Sequence, residues 1–368
     1  MKDSVRVSIV GSGGMAGYYL SVYRDLDWVD VRSCIDVDLN KAQHAAEMLS
    51  APVATTDFAA ALASDVDAVI INTPNSLHRP QAVAAIQADK HVLLQKPVAA
   101  NLEDAEAIER AAAQSERTVG LYMSYFDQPL VHDLRDMISE GRLGEMVHFY
   151  ARLMHKGGMV SSAAALKGNR SWRTSLAETG GGCFIQLAVH YIHIFEWVSQ
   201  SRVVRATGFT RNLHCPGIEG EDLACAILEL NTGAMITLDT AWCTNGEQLA
   251  AHGTLGRMEY RNSLWLSVAS RLGPYKGRVI DYAGGIVTSY DGEHGAEQQM
   301  EVKPPAFGDA ANPLNQHRVF LESVRDGRPA FCSIASGVQD MRVVRAVYES
   351  AATGHAINLE EAPLGVAR

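Results

Sequence analysis

Val5-Arg6-Val7-Ser8-Ile9-Val10-Gly11-Ser12-Gly13-Gly14-Met15-Ala16-Gly17 is an almost unbroken apolar run that breaks into glycine. A strand without polar alternation is covered on both faces, which is the condition of a parallel sheet flanked by helices. The glycines fit Gly-x-Gly-x-x-Gly/Ala with Ala16 in the third place. Gly11 permits the tight turn, Gly13 admits a pyrophosphate close to the backbone, and Ala16 allows close helix–strand contact. A diphosphate then meets the positive end of the following helix, with Gly14 and Met15 completing the cradle. Glycine turns after strands are common, so a dinucleotide site needs support from residues further along the chain.

Asp36 ends the second strand, about twenty residues past Ala16, where a carboxylate accepts from both ribose hydroxyls and repels a 2′-phosphate. That predicts NAD as the cofactor in preference to NADP, with Arg32 and Lys41 nearby pulling the other way. The competing reading of Asp36 is a helix cap, a role for which Asp38 is better placed.

Working outward, strands are predicted at 5–10, 29–35, 68–71, 91–94 and 118–121, with helices at 11–20, 40–49, 80–88 and 102–113. This alternation predicts an α/β, doubly wound parallel sheet, a Rossmann domain over residues 1–123. From about residue 122 the character changes. A helix at 130–139, a strand at 146–153, an irregular stretch at 157–176 and a helix at 184–198 come first. Strands at 203–210, 223–231, 234–242, 249–252 and 258–260 come next, joined by tight turns that predict a mostly antiparallel sheet. The region 275–305 reads as short strands and loops, and helices are predicted at 315–325 and 337–352. The second domain is therefore α+β over 124–368, with its last helices free to pack back on the first.

The chain has 368 residues, 47% hydrophobic and 20% charged, as expected of a soluble protein with two cores. Its net charge of −10 is spread without any Lys/Arg run, which argues against nucleic acid or an anionic membrane as partner. No apolar run approaches the ~20 residues of a membrane span. A strand beginning within five residues of Met1 leaves no room for a signal peptide, so the expected compartment is the cytoplasm. The six cysteines are scattered and form no Cys-x-x-Cys pair, so they read as buried small hydrophobes and no metal site is expected.

Two segments turn a nucleotide signature into a site with chemistry in it. Thr73-Pro74-Asn75 ends a strand of the first half, and strand C-termini at the switch point line the ligand crevice. Pro74 fixes that loop and the Asn75 amide is placed for the nicotinamide ribose. Lys96, beside Gln95 and ahead of Pro97, is held extended at its strand's end, which throws its side chain into the crevice. An ordinary lysine is a solvated charge; the position favours the functional reading here.

In the second half Gly180-Gly181-Gly182 opens a helix carrying Gln186, His190 and His193, whose spacings of four and three place them on one face. The glycines let the helix start approach another surface closely, and the nicotinamide is read as that surface. His190 has the proton affinity of a general base near neutral pH. A core histidine on this apolar helix is the alternative, and a metal at His190 and His193 lacks an evident third ligand. The run from His155 to Arg173 also holds Lys156, Lys167 and Arg170, a local basicity that suits an anionic substrate or a solvated loop equally.

Together these residues resemble the Gfo/Idh/MocA family, the glucose-fructose oxidoreductase and inositol dehydrogenase relatives, essentially from end to end. Gln95-Lys96-Pro97 is similar to the family's Glu-Lys-Pro, and Thr73 to His78 to its Thr-Pro-Asn-x-x-His. Glu140-Gly141-Arg142-Leu143-Gly144-Glu145 resembles its domain junction and Glu221-Asp222-Leu223-Ala224 a stretch of its sheet. Its glycine-rich helix motif matches 180–190, with Gln186 where the family has aspartate and His193 where many members have another. Gln cannot ionise, which shifts the implied mechanism toward Lys96 and His190.

The resemblance implies a large open sheet in the second domain, whose flat face joins homodimers or homotetramers. It implies oxidation of a secondary alcohol on a sugar, polyol or sugar acid. Lys96 would polarise the substrate hydroxyl and His190 take its proton, with Trp172, Arg173, Gln186 and His155 against the substrate and His78 and Gln95 against the cofactor. The family also includes redox-neutral enzymes that retain NAD, glycosidases among them, and a non-catalytic sugar or dinucleotide sensor. Intact Lys96 and His190 speak against the sensor.

Overall fold

Six strands form the first sheet: β1 (Val5–Val10), β2 (Val29–Ile35), β3 (Val53–Thr55), β4 (Ala68–Ile71), β5 (His91–Gln95) and β6 (Val119–Tyr122). They lie in the order β3-β2-β1-β4-β5-β6 and every pair is parallel. The order reverses at β1 and β4, the switch point of a dinucleotide-binding fold. Burial follows the topology: β4 and β5 are buried at every residue because helices cover both faces. The computed structural model describes residues 4–17, 19–262, 285–291, 296–302 and 308–359. The chain divides into two compact units, 1–128 with 305–338 and 129–304 with 339–368.

Within the first unit the helix Gln316–Asp326 packs against β1, β5 and β6, and the Leu121 amide donates to Cys332 O at 2.9 Å. The rings of Tyr19, Tyr122 and His317 cluster in edge-on and tilted contacts with centroids 4.2–4.8 Å apart, and Tyr23 Oη meets His317 Nδ1. Burial drives the His317 pKa down to about 3. Beside this cluster Asp127 accepts from the Gln316 amide at 2.9 Å, yet burial pushes its carboxyl up to about 7.

A carboxyl whose folded pKa lies above its unfolded value stabilises the fold fully below the unfolded pKa, and that stability is lost as pH rises through the folded one. The window for Asp127 therefore runs from about pH 4 to pH 7. Asp127→Asn keeps an oxygen for Gln316 and removes the charge. The variant is expected to lose about 2–3 kcal/mol less stability than the parent between pH 5 and 8.5. Thermal unfolding across that range checks this, and parallel curves for the two proteins would refute it.

The second unit is built on nine strands: β7 (Met146–Met154), β8 (Val203–Arg211), β9 (Leu223–Leu230), β10 (Met235–Ala241), β11 (Gly246–Gly253), β12 (Arg257–Asn262), β13 (Gly285–Asp291), β14 (Ala296–Val302) and β15 (Ile357–Asn358). Their order is β14-β13-β12-β11-β7-β10-β9-β8-β15, and only β7 and β10 pair in parallel. β9 shows why one face is covered: Ala224, Ala226, Leu228 and Leu230 are buried while Cys225 and Ile227 between them are exposed. The covered face meets the helix Val189–Ser199, where Phe149 and Phe195 lie 4.9 Å apart. The other face carries a polar ladder in which Tyr150 Oη donates to Asp239 Oδ2 at 2.8 Å and Arg152 bonds the same oxygen at 3.2 Å.

The structure corrects three sequence-based expectations. The stretch 157–176, expected to be irregular, begins with the helix Gly157–Leu166, whose glycine start and small residues mask its period. The helix Asn75–Gln87 starts five residues before its proline rather than at it, because Pro74 supplies the helix entry and Pro80 is carried inside. The run 124–368 is interrupted, since 305–338 belong with the first unit. The parts of 275–305 other than β13 and β14 lie outside the described residues, and among the described residues no helix is long and apolar enough to cross a membrane.

Candidate active site

At the end of β1 the chain turns through Gly11 at φ +87°, a conformation that a residue with a Cβ rarely adopts. A Cβ there would also lie 2.8 Å from the carbonyl carbon of Asn72. Gly11 N donates to Ile35 O and Asn72 N to Val10 O, so the turn is clamped between the ends of β2 and β4. Gly13 and Gly14 face open space, Ala16 is buried, and the Met15 side chain lies outside the described residues.

Asp36 leans into this turn. Its two oxygens accept from the amides of Ser12 at 2.8 Å and Asp38 at 2.9 Å, while Asp38 itself caps the helix Leu39–Leu49. The helix-cap alternative for Asp36 therefore falls away. Arg32 is paired with Asp65 and Asp30, and Lys41 with Asp38, so each basic residue that argued for a 2′-phosphate has a carboxylate already.

At the ends of β4 and β5, Thr73 Oγ1 donates to Gln81 Oε1 at 2.6 Å, Pro74 is half-buried, and Asn75 is buried as the first helical residue. Gln95 Oε1 accepts from the Lys96 amide at 3.0 Å. Gln95 Nε2 is buried with no hydrogen-bond partner, as is Ser12 Oγ in the glycine turn. A buried amide left unsatisfied costs free energy unless something comes to accept its protons. Two such atoms, one in the glycine turn and one beside the lysine, fit an elongated polar ligand such as a dinucleotide. Lys96 is half-buried, and its peptide bond to Pro97 is cis.

His78 departs from its expected role as a cofactor contact. It is fully buried, with Nε2 3.0 Å from Thr73 O and Nδ1 3.0 and 3.2 Å from the carbonyls of Pro97 and Val98. Both ring nitrogens face backbone carbonyls, which leaves none for a ligand.

In the second unit, Gln186 lies in a single π-helical turn, Phe184–Ala188, that runs into the helix Val189–Ser199 bearing His190. Such turns recur where a helix must place a functional side chain. Gln186 and His190 are both buried. His193 is committed elsewhere: its Nδ1 pairs with Asp340 Oδ2 at 2.7 Å inside the protein. One turn further on, Glu196 accepts from the Val203 amide, and burial together with Asp340 pushes its pKa up to about 7.

The glycines that open this helix also meet a packing demand within the second unit. A Cβ on Gly182 would lie 1.9 Å from Glu221 O, and one on Gly181 would lie 2.1 Å from Tyr348 Oη. Glu221 accepts from the amides of Gly182 and Phe184 at 2.8 Å each and from Tyr348 Oη at 2.9 Å. Glu221 and Tyr348 are thus the fastening of the helix start. Nothing local in the sequence marks them, because they stand about 40 and 165 residues away from it.

The basic run does not converge. His155 Nδ1 accepts from the Gly157 amide at one end of the helix Gly157–Leu166, Lys167 is exposed at the other, about 15 Å away, and Arg170 pairs with Glu219. Trp172 and Arg173 stay together, with the guanidinium stacked 4.5 Å over the indole and no ion pair to Arg173 among the described residues.

Residues 5–123 match the model of an oxidoreductase family with an NAD-binding Rossmann fold, and residues 131–259 match the GFO/IDH/MocA C-terminal domain. The chain is 29% identical over 299 residues to 1,5-anhydro-D-fructose reductase of Ensifer adhaerens, covering 80% of each. It is 25% identical over 342 residues to 4-carboxy-2-hydroxymuconate-6-semialdehyde dehydrogenase of Sphingobium sp., covering 92% of this chain and 96% of that one. Among solved structures, levoglucosan dehydrogenase in complex with NADH superposes with a TM-score of 0.82 at 18% identity, over 98% of this chain and 100% of that one.

Proposed function

The chain belongs to the Gfo/Idh/MocA oxidoreductase family, and on that premise we propose that it is an NAD-dependent dehydrogenase oxidising a secondary alcohol of a sugar, cyclic polyol or sugar acid. The observation that carries this is the end of β5, where the unsatisfied Gln95 amide adjoins Lys96 in the unit that holds the glycine turn.

The bound dinucleotide supplies the hydride acceptor. Lys96 donates a hydrogen bond to the substrate hydroxyl and stabilises negative charge growing on its oxygen. His190 accepts the hydroxyl proton, and Gln186 holds a neighbouring hydroxyl without adding charge. Trp172 offers a flat apolar surface to a sugar ring, and Arg173 a cation to a carboxylate. The anhydrofructose relative favours a sugar ring, and the muconate relative favours a carboxylate. The exposed face of the nine-stranded sheet, with Phe209, Ile227 and Met235 on it, is our candidate for self-association.

The test is to incubate the protein with NAD or NADP against inositols, aldoses, uronic acids and amino sugars while following cofactor reduction. Reduction confined to one class supports the dehydrogenase and names its substrate. No reduction anywhere, with NAD retained by the protein, points instead to redox-neutral chemistry.

Asp36→Ala is expected to relax the preference for NAD over NADP by about tenfold or more, through loss of a ribose acceptor and of repulsion toward a phosphate. The ratio of kcat/KM for the two cofactors measures this, and an unchanged ratio would take Asp36 out of cofactor selection.

A further inference from the structure

We infer that His78 is a positioning residue that acts through Lys96: its buried imidazole ties the end of β4 to the segment that leaves β5, and so sets the direction in which the lysine emerges. The inference rests on the catalytic role proposed for Lys96.

The geometry carries it. His78 sits in the first turn of the helix Asn75–Gln87, fully buried, with Thr73 O 3.0 Å from one ring nitrogen and Pro97 O 3.0 Å from the other. Thr73 is held a second time by its own hydroxyl on Gln81, from the next turn of the same helix. Lys96 is therefore bracketed. Its amide is fixed by Gln95 Oε1 on one side, and the carbonyl of the residue after it is fixed by His78 on the other. With its own amide held and the next peptide but one held as well, the backbone at Lys96 has little freedom to turn the side chain elsewhere.

A neutral imidazole has one N–H, whereas an imidazolium has two. Burial lowers the pKa of His78, and the carbonyls of Thr73, Pro97 and Val98 oppose that without overcoming it. The ring is thus neutral at working pH and has one N–H. With that proton on Nδ1 it donates to Pro97 O or Val98 O, and because His78 itself stands on the helix that follows β4, this one bond ties the two segments. An alkyl side chain of similar bulk fills the space and ties neither segment. A glutamine amide can still donate to the Pro97 carbonyl, but its flexible chain holds that bond less rigidly than the packed ring does.

The experiment uses the full-length protein with His78→Gln, His78→Leu and Lys96→Ala in parallel, and it has three readouts. They are affinity for NAD by titration, kcat and KM on whichever substrate the panel identifies, and the pH dependence of Lys96 acetylation by acetic anhydride, followed by peptide mass spectrometry. For His78→Leu the expected result is a kcat lower by about tenfold to a hundredfold, from misdirection of a reacting group. NAD affinity should stay within about threefold, and the Lys96 labelling profile should be displaced along the pH axis. His78→Gln should fall between this variant and the parent, and it carries the test if the leucine variant does not fold.

A weaker NAD affinity with normal turnover would overturn the inference by making His78 a cofactor contact. Normal kcat and normal labelling with only a lower melting temperature would overturn it by making His78 a plain core residue. Lys96→Ala separates the two levels. If that variant is inactive while His78→Leu is normal, the positioning role alone is wrong. If Lys96→Ala turns over normally, the catalytic reading has failed first.

Discussion

Replacing Lys96 by alanine is expected to lower kcat by about three orders of magnitude while NAD affinity changes by less than about threefold. The asymmetry comes from where the residue stands. The features of the first unit that we assign to the cofactor are spread over the Gly11 turn, Asp36, Ser12 Oγ and the Gln95 amide, none of which needs the Lys96 ammonium. Lys96 is instead at the tip of β5, half-buried, with its backbone amide tied to Gln95. A donor aimed at an oxygen that gains charge only as the reaction proceeds affects the transition state more than the ground state. Lys96→Arg is expected to recover little, because a planar guanidinium is longer and cannot place a single point charge at the same spot. Steady-state kinetics on the substrate found with the panel, paired with an NAD titration, decides the matter. A near-normal kcat for Lys96→Ala would sink the assignment.

The limits of sequence reading in this chain are physical. Val5–Val10, Ala68–Ile71 and the strand ending at Gln95 are legible because burial on both faces leaves no choice but continuous apolar residues. Asp36 is legible because a strand end and a distance from the glycine turn define its position. Long-range pairing is what escapes. Spacing alone leaves His193 between packing and a ligand role, and only the arrival of Asp340, 147 residues later, commits its ring to a buried hydrogen bond. At His78 the motif is visible but not its meaning: it places a histidine three residues after Asn75, and the fold turns its ring inward onto Thr73 and Pro97 rather than outward. The helix Gly157–Leu166 hides because glycine, serine and alanine supply no hydrophobic period to count. In each case the missing information is the partner, which neither spacing nor composition encodes.

A distant partner also underlies the second large effect. Gly182→Ala is expected to destabilise the protein by about 3 kcal/mol or more, the upper range for overpacking a closed site. The added methyl would meet Glu221 O at 1.9 Å, Glu221 N at 2.5 Å and Glu221 C at 2.7 Å, all backbone atoms that cannot swing aside. Relief requires Gly182 to move, and movement breaks the bonds from the Gly182 and Phe184 amides to the Glu221 carboxylate. That carboxyl is buried, so losing two of its three donors leaves buried polar oxygens unsatisfied. The helix start then shifts, and Gln186 and His190 shift with it, so activity should fall together with stability. Gly181→Ala differs in kind, because its nearest obstacle is Tyr348 Oη, a side-chain atom. Tyr348→Phe removes that oxygen and should recover part of the loss at position 181 but none at position 182. Urea unfolding of the single variants and of each glycine variant combined with Tyr348→Phe, alongside NAD titration, separates two explanations for these glycines. If Gly182→Ala unfolds at the parental urea concentration and binds NAD more weakly, the glycine serves a cofactor; a lower midpoint with parental NAD affinity makes it a packing residue that holds the histidine helix in place.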